Sequence, residues 1–239
     1  VGVTTPLSAN ITPAPVTISG LSANNKVYDT TVTASLSGTA TISGLLTGDT
    51  ATLSGTATAG TFASSNVANG IAVTANLSNL ALSNSNYAIV GVTTPLSANI
   101  TPAPVTITAS SDSKVYGSTT TQANISYVNG AAVTNSGYSV SGLLGSDTVS
   151  NVTLTSVGGL AISGVNGSPY VINVGVAVGT GGLSNYAVSY VSGVMTVTPK
   201  PLTVTVANQS MNYGANALPT FTYTTSGLVN GDSTTITVS

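Results

Sequence analysis

Apolar and polar positions alternate along most of this chain. In TVTASLS, Val32, Ala34 and Leu36 stand between Thr31, Thr33, Ser35 and Ser37, and in GIAVTANLS the residues Ile71, Val73, Ala75 and Leu77 stand between small or polar neighbours. PLTVTV repeats the pattern with Leu202, Val204 and Val206. A period of two is that of strands with one face in a core and one in water. Clusters of Gly, Asn and Ser break these runs at the spacing of turns in a sandwich or barrel, and no stretch carries the 3.6-residue period of a helix. The pattern predicts an all-β protein.

The alternation is organised in repeats. Residues 1–18, VGVTTPLSANITPAPVTI, return unchanged at 90–107. Three landmarks then recur in fixed order. A tyrosine segment contains Tyr28 in NNKVYDTT, Tyr116 in DSKVYGST and Tyr213 in QSMNYGAN. A Gly-Leu turn ends at Asp49 in SGLLTGDT, at Asp147 in SGLLGSDT and at Asp232 in SGLVNGDS. An SNYA segment holds Tyr87 and Tyr186, and each is followed by a proline seam, ITPAPVTI or VTPKPLTV. Asp49 to Tyr87 is 38 residues and Asp147 to Tyr186 is 39. The landmarks divide the chain into 1–15, the tail of a preceding module; 16–103; 104–200; and 201–239, the start of a further module. A period near 90 residues is longer than a solenoid coil, so discrete modules are expected. Small tandem β-sandwiches of immunoglobulin-like type fit best, with β-grasp-like modules or a β-solenoid as alternatives.

Composition then removes whole classes of function. The chain has 239 residues, 3% of them charged, with three lysines, five aspartates and no His or Cys. Nucleic acid is excluded as a partner, because only Lys26, Lys114 and Lys200 are available to neutralise phosphates. No run approaches the 18 apolar residues of a transmembrane helix, so no membrane span is expected here. Without His, Glu and Cys, neither a Ser-His-Asp triad, a Cys-His pair nor a pair of glutamates can be built, and an enzyme is not expected. The Gly-rich SVGGLAISGVNGS and VGTGGLSNY lack the Lys-Ser/Thr ending of a phosphate loop and read as hairpin connections. No cofactor or metal is expected, since calcium takes six to eight oxygens and the carboxylates are scattered.

The landmarks have structural readings of their own. Tyrosines fixed by position in a sandwich bury the ring and bond the hydroxyl to backbone. The turn aspartates Asp49, Asp147 and Asp232 would cap N–H groups of their turns. Lys26 and Lys114 share one module position, occupied in the third by Met211; solvated, snorkelling lysines are expected there rather than an isopeptide staple. Pro102, Pro104, Pro199 and Pro201 hold the seams extended, which favours a stiff rod of modules.

The residues also carry a family resemblance. KVYDTT, SGLLTGDTATLSGTATAGTF, SNYAIV and ITPAPVTI resemble the YDG-type repeat, with Thr30 where that motif's glycine normally stands. SKVYGS, SGLLGSDT, SNYAVSYVSGVMTVTPKPLTV and NYGANALPTFTYTTSGLVNGDS are similar to the MBG repeat of the YGX type. The resemblance implies a stalk or fibre module of a large bacterial surface or secreted adhesin of the filamentous-haemagglutinin-like kind, extracellular, with no catalytic residue. The partners this implies are adjacent modules of the same chain, with lateral self-association into fibres through low-charge strand edges. The alternative is a glycan- or partner-binding module, for which Tyr127, Tyr138, Tyr170 and Tyr190 are the candidate exposed tyrosines.

Overall fold

The computed structural model describes residues 8–119, 125–126, 137–180, 183–229 and 231–236. These form two compact units. The first runs to Pro104 and takes in Leu144–Ser146 and Ser184–Ala187; the second comprises Val105–Leu143, Asp147–Leu183 and the residues from Val188 onward.

Nine strands precede the central proline seam: β1 (Ala14–Ala23), β2 (Lys26–Val27), β3 (Thr33–Ser43), β4 (Leu53–Ser54), β5 (Ala59–Phe62), β6 (Ala68–Ala75), β7 (Ala81–Leu82), β8 (Tyr87–Val92) and β9 (Leu96–Thr101). Seven of them form one sheet in the order β2-β9-β6-β5-β3-β1-β8. The eleven-residue β3 is shared: the stretch from Leu36 to Ser43 pairs with β1 and its first three residues pair with β5. A bulge lies within the β1 pairing, between Ser19 and Leu21. There Gly20 and Gly38 face each other at φ +81° and +94°, and a Cβ on Gly20 would lie 2.2 Å from the Thr39 carbonyl oxygen. Only glycine fits both the left-handed backbone and that approach. The alternation seen in the sequence places Val16 and Ile18 of β1, Leu96, Ala98 and Ile100 of β9, and Ile71 and Val73 of β6 in the core.

After the seam come β10 (Ala103–Ala109), β11 (Asp112–Val115), β12 (Ile125–Ser126), β13 (Tyr138–Ser141), β14 (Thr148–Thr155), β15 (Tyr170–Thr180), β16 (Tyr186–Val191), β17 (Gly193–Thr198), β18 (Thr203–Val206) and β19 (Tyr223–Ser226). One sheet orders as β13-β10-β16 and another as β11-β17-β15-β14-β12. Ile107, Val152, Leu154, Ile172 and Met195 make a core in which none is more than 1% exposed. The Gly-rich stretch after β14 does connect a hairpin, since β14 and β15 are antiparallel, and it contains two short 3₁₀ turns. Between Tyr116 and Gly142 the described residues include β12, paired with β14, and β13, paired with β10.

The repeats superpose at the level of single residue pairs. Thr17 pairs with Ser43, Thr106 with Ser141 and Thr203 with Ser226, so the first strand meets the strand before the Gly-Leu turn in one register three times. Lys26 pairs with Ile100 and Lys114 with Val197, each in a parallel ladder. One residue of slip would turn every apolar side chain to the wrong face, so such agreement follows from equal patterns. No α-helix occurs among the described residues, and antiparallel pairs predominate. The fold is all-β and sandwich-like.

Candidate functional site: tyrosine loops and Gly-Leu turns

The landmark residues meet in two kinds of local structure. The first is the tyrosine loop that follows β2 or β11. The Tyr28 N–H donates to the Thr101 carbonyl at 2.8 Å and the Tyr116 N–H to that of Thr198 at 2.9 Å, so the last strand of each repeat holds the loop in the same way. Each loop then needs one residue with left-handed backbone. Gly117 and Gly214 supply it directly after their tyrosines, at φ +84° and +87°, while in the first repeat Thr30, two residues after Tyr28, takes φ 69°. This gives the glycine of both motif types a physical meaning: without a Cβ it enters this region at no steric cost.

Thr30 lacks that freedom, and polar bonds hold its loop instead. Asp29 Oδ1 accepts from the Thr31 N–H and hydroxyl, both at 2.9 Å, and from Lys26 Nζ at 2.6 Å, while Lys26 also donates to the Thr31 carbonyl at 2.7 Å. Lys26 lies 5.4 Å from the centre of the Phe62 ring. Partial burial of Asp29 works against its charge, but the bonds from Lys26 and Thr31 outweigh it and hold the carboxyl below the ordinary value.

The lysines depart from the sequence expectation. Lys26 is ion-paired, and Lys114 is 6% exposed instead of snorkelling. Its ammonium donates to the Ser118 carbonyl at 2.9 Å and to that of Leu160 in the Gly-rich connection. Burial pushes its pKa down. An ammonium can be buried when backbone carbonyls replace its water.

The second structure is the Gly-Leu turn. The Asp49 N–H donates to the Leu46 carbonyl at 3.0 Å and the Asp232 N–H to the Val229 carbonyl at 2.9 Å. The SNYA tyrosine ties the turn down: Tyr87 is 5% exposed, and its hydroxyl accepts from the Leu46 N–H at 3.2 Å and donates to Asp49 Oδ2 at 2.5 Å. That bond to Asp49 raises the Tyr87 pKa. Tyr186 likewise accepts from the Leu144 N–H at 3.0 Å. The hydroxyls thus bond backbone, and the Asp49 side chain accepts from a tyrosine hydroxyl where a cap on the turn's own N–H groups was expected.

Loops and turns also touch each other, always from one repeat to the next. Within the first unit, the Tyr28 ring meets the Tyr186 ring edge-on at 5.4 Å, and Thr30 lies against Gly145, where a Cβ would be 3.2 Å from the Thr30 methyl. Asn185, beside Tyr186 and 4% exposed, accepts from the Val67 N–H at 2.9 Å and donates to Asn66 at 3.1 Å. Within the second unit, the Tyr116 hydroxyl donates to Asp232 Oδ1 at 3.0 Å, and Gly117 lies against Val229. No periodicity argument could find these contacts, because they link landmarks of different repeats.

The remaining candidates are more scattered. Pro102 is the single residue between β9 and β10, Pro104 lies within β10, and Pro199 and Pro201 lie between β17 and β18. Asp147 is half-buried, and Tyr213 is fully exposed. Tyr138 and Tyr170, expected to be exposed, are half-buried against the second core, with Tyr170 seated over Gly158 and Gly167 and its hydroxyl donating to the Gly164 carbonyl at 2.8 Å. Tyr190 is 44% exposed, and Tyr127 lies outside the described residues. Among the described residues no three His, Cys, Asp or Glu gather as metal ligands would, and no helix is long and apolar enough to cross a membrane.

Known families match this chain in two places. A family model described as the YDG domain matches residues 12–95, and one described as the MBG domain (YGX type) matches residues 202–239. The chain carries a YDG domain and a YGX-type MBG domain. The left-handed position two residues after Tyr28 lies in the YDG domain, and the Gly214 turn lies in the MBG domain. The middle repeat lies outside both matches, and its kinship rests on the shared landmarks and registers. No curated protein and no solved structure matches the chain.

Proposed function

We propose that this chain is a structural repeat segment, a stalk or fibre element of a large secreted or cell-surface bacterial adhesin, which extends a distal binding region or builds extracellular filaments. YDG and MBG domains are consistent with an adhesin-like repeat. The observation that carries the reading is the contact of Tyr28 with Tyr186 and of Tyr116 with Asp232, because in both cases landmark residues join one repeat to the next. A protein built this way gains length by adding copies. Uniformity of this kind serves reach. The composition supports a non-catalytic role, since the side chains that most often move protons are absent.

Small-angle scattering of the chain, compared with a version carrying one more copy of the first repeat, tests this reading. Strands of six to ten residues with their end loops give about 35–45 Å per repeat. The expected result is a rod that lengthens by that step. A compact profile whose maximum dimension barely changes would refute it.

A further inference from the structure

The second repeat departs from the first in the connection between two of its core strands. β14 and β15 are joined by residues 156–169, whereas β5 and β6, which hold the corresponding places in the first repeat, are joined by residues 63–67. An insertion into one repeat adds nothing to the length of an array, and in repeat proteins such insertions commonly form the binding face. This connection is closed on itself. The Ser163 N–H donates to the Leu160 carbonyl at 3.1 Å and the Ser163 hydroxyl donates to the Val157 carbonyl. The Ser168 N–H donates to the Val165 carbonyl at 3.0 Å, and the Gly164 carbonyl accepts from the Tyr170 hydroxyl at 2.8 Å. The hydroxyls of Ser156 and Ser168 accept from the N–H groups of Gly158 and Val197. With the serines engaged on backbone, what the connection turns to solvent is mainly aliphatic: Val157, Leu160, Ile162 and Val165 are 67%, 40%, 72% and 37% exposed. No charged residue occurs from Thr148 to Pro199, and Lys114, whose ammonium meets the Leu160 carbonyl, is itself buried.

We infer that this connection is a lipid-binding loop, which inserts Val157, Leu160, Ile162 and Val165 into the surface layer of a phospholipid bilayer. A loop that enters a bilayer loses water as a hydrogen-bond partner, so its polar groups must be bonded within the protein. Here the carbonyls of Val157, Leu160, Gly164 and Val165 and the hydroxyls of all three serines already are. The loop also brings no charge that insertion would strip of water. With no cation to meet anionic headgroups, the attraction is apolar alone and owes nothing to the charge of the membrane. The four side chains together are comparable in apolar carbon to a single myristoyl chain and are already partly covered by the protein. Their hold is therefore weaker than the ~10⁴ M⁻¹ of such a chain, with half-saturation expected at about 1 mM lipid. This goes beyond the stalk reading and does not depend on it.

Flotation of the chain with phosphatidylcholine vesicles tests it. The wild-type chain is expected to float, equally well when part of the lipid is anionic phosphatidylglycerol and when the salt is raised. Val157→Ser combined with Ile162→Ser, at the two most exposed of the four positions, should weaken binding about tenfold or more with unchanged circular dichroism. Val90→Ser, at a valine 64% exposed in the first repeat, should bind like the wild type. The chain contains no tryptophan, so Ile162→Trp places a single reporter in the loop. Its emission should shift to the blue with vesicles and be quenched by brominated acyl chains. A wild-type chain that does not float at about 10 mM lipid, ten times the expected midpoint, would overturn the inference. Binding that disappears with salt, an unshifted emission from the Ile162→Trp chain, or a double variant that floats like the wild type would do the same. Self-association without vesicles that the double variant abolishes would also overturn it, by making the loop a contact between proteins. A chain that stays off vesicles and scatters as a rod leaves the stalk reading intact, and a compact chain that floats removes the stalk and keeps the loop.

Discussion

Thr30 is the position where a substitution should improve the fold. A β-branched residue at φ 69° carries its Cβ into the following carbonyl, at a cost of about 1–2 kcal/mol relative to a residue without Cβ. Glycine returns about 0.5–1 kcal/mol of this through the larger entropy of its unfolded chain. Thr30 is exposed, and the methyl lost is one that lies against Gly145, so little packing is forfeited. Thr30→Gly is therefore expected to stabilise by about 0.5–1 kcal/mol. Urea denaturation followed by tyrosine fluorescence measures it, with Thr30→Ala as the control that keeps the left-handed Cβ and should gain almost nothing. The reciprocal change, Gly117→Thr, puts a side chain at φ +84° where even a Cβ would lie 2.4 Å from Val229, and should lose about 2 kcal/mol or more. A Thr30→Gly chain no more stable than the wild type, or a Gly117→Thr chain that is unaffected, would show that the loop's backbone carries no such strain.

Three further outcomes follow from the same geometry. Lys114→Met, which copies the third repeat, leaves the carbonyls of Ser118 and Leu160 without their donor and should cost about 1–3 kcal/mol in urea melts. Tyr87→Phe removes the hydroxyl shared by Leu46 and Asp49 and should cost about 1 kcal/mol, most of it as faster hydrogen exchange at the Leu46 amide. Because the Asp29 carboxyl has its pKa lowered in the fold, its contribution is complete above the unfolded value near 3.8 and is lost as pH falls through the lower folded value; Asp29→Asn should flatten the acid limb of stability against pH.

What could be read in advance was whatever repeats along one strand or from module to module. The alternation of Val16 and Ile18 with polar neighbours located the core strands, and the spacing of Asp49 to Tyr87 located the landmarks. The fate of Lys114 was hidden, because its acceptors are backbone carbonyls, one of them 46 residues away in a glycine-rich connection with no acidic side chain to signal it. Tyr170 was hidden for a related reason: its seat is the space left by Gly158 and Gly167, and an absent side chain gives no pattern. The clue to the tyrosine loops was Thr30 in a glycine's place, since a motif glycine marks a backbone angle and its replacement marks where strain must be held by neighbours.

The parallel pairing of β2 with β9 has a mechanical meaning. The repeat is entered at β1, just before β2, and left at the end of β9, and β1 itself runs parallel to β8 for five residue pairs. Tension applied along the chain therefore pulls the two members of each ladder past one another lengthwise. All the hydrogen bonds of a ladder then share the load and must break together, where an antiparallel hairpin pulled from its open end would lose them one at a time. Resistance of this kind is set by the rate of unfolding under force. The repeat would hold best in the direction in which flow pulls on a tethered thread.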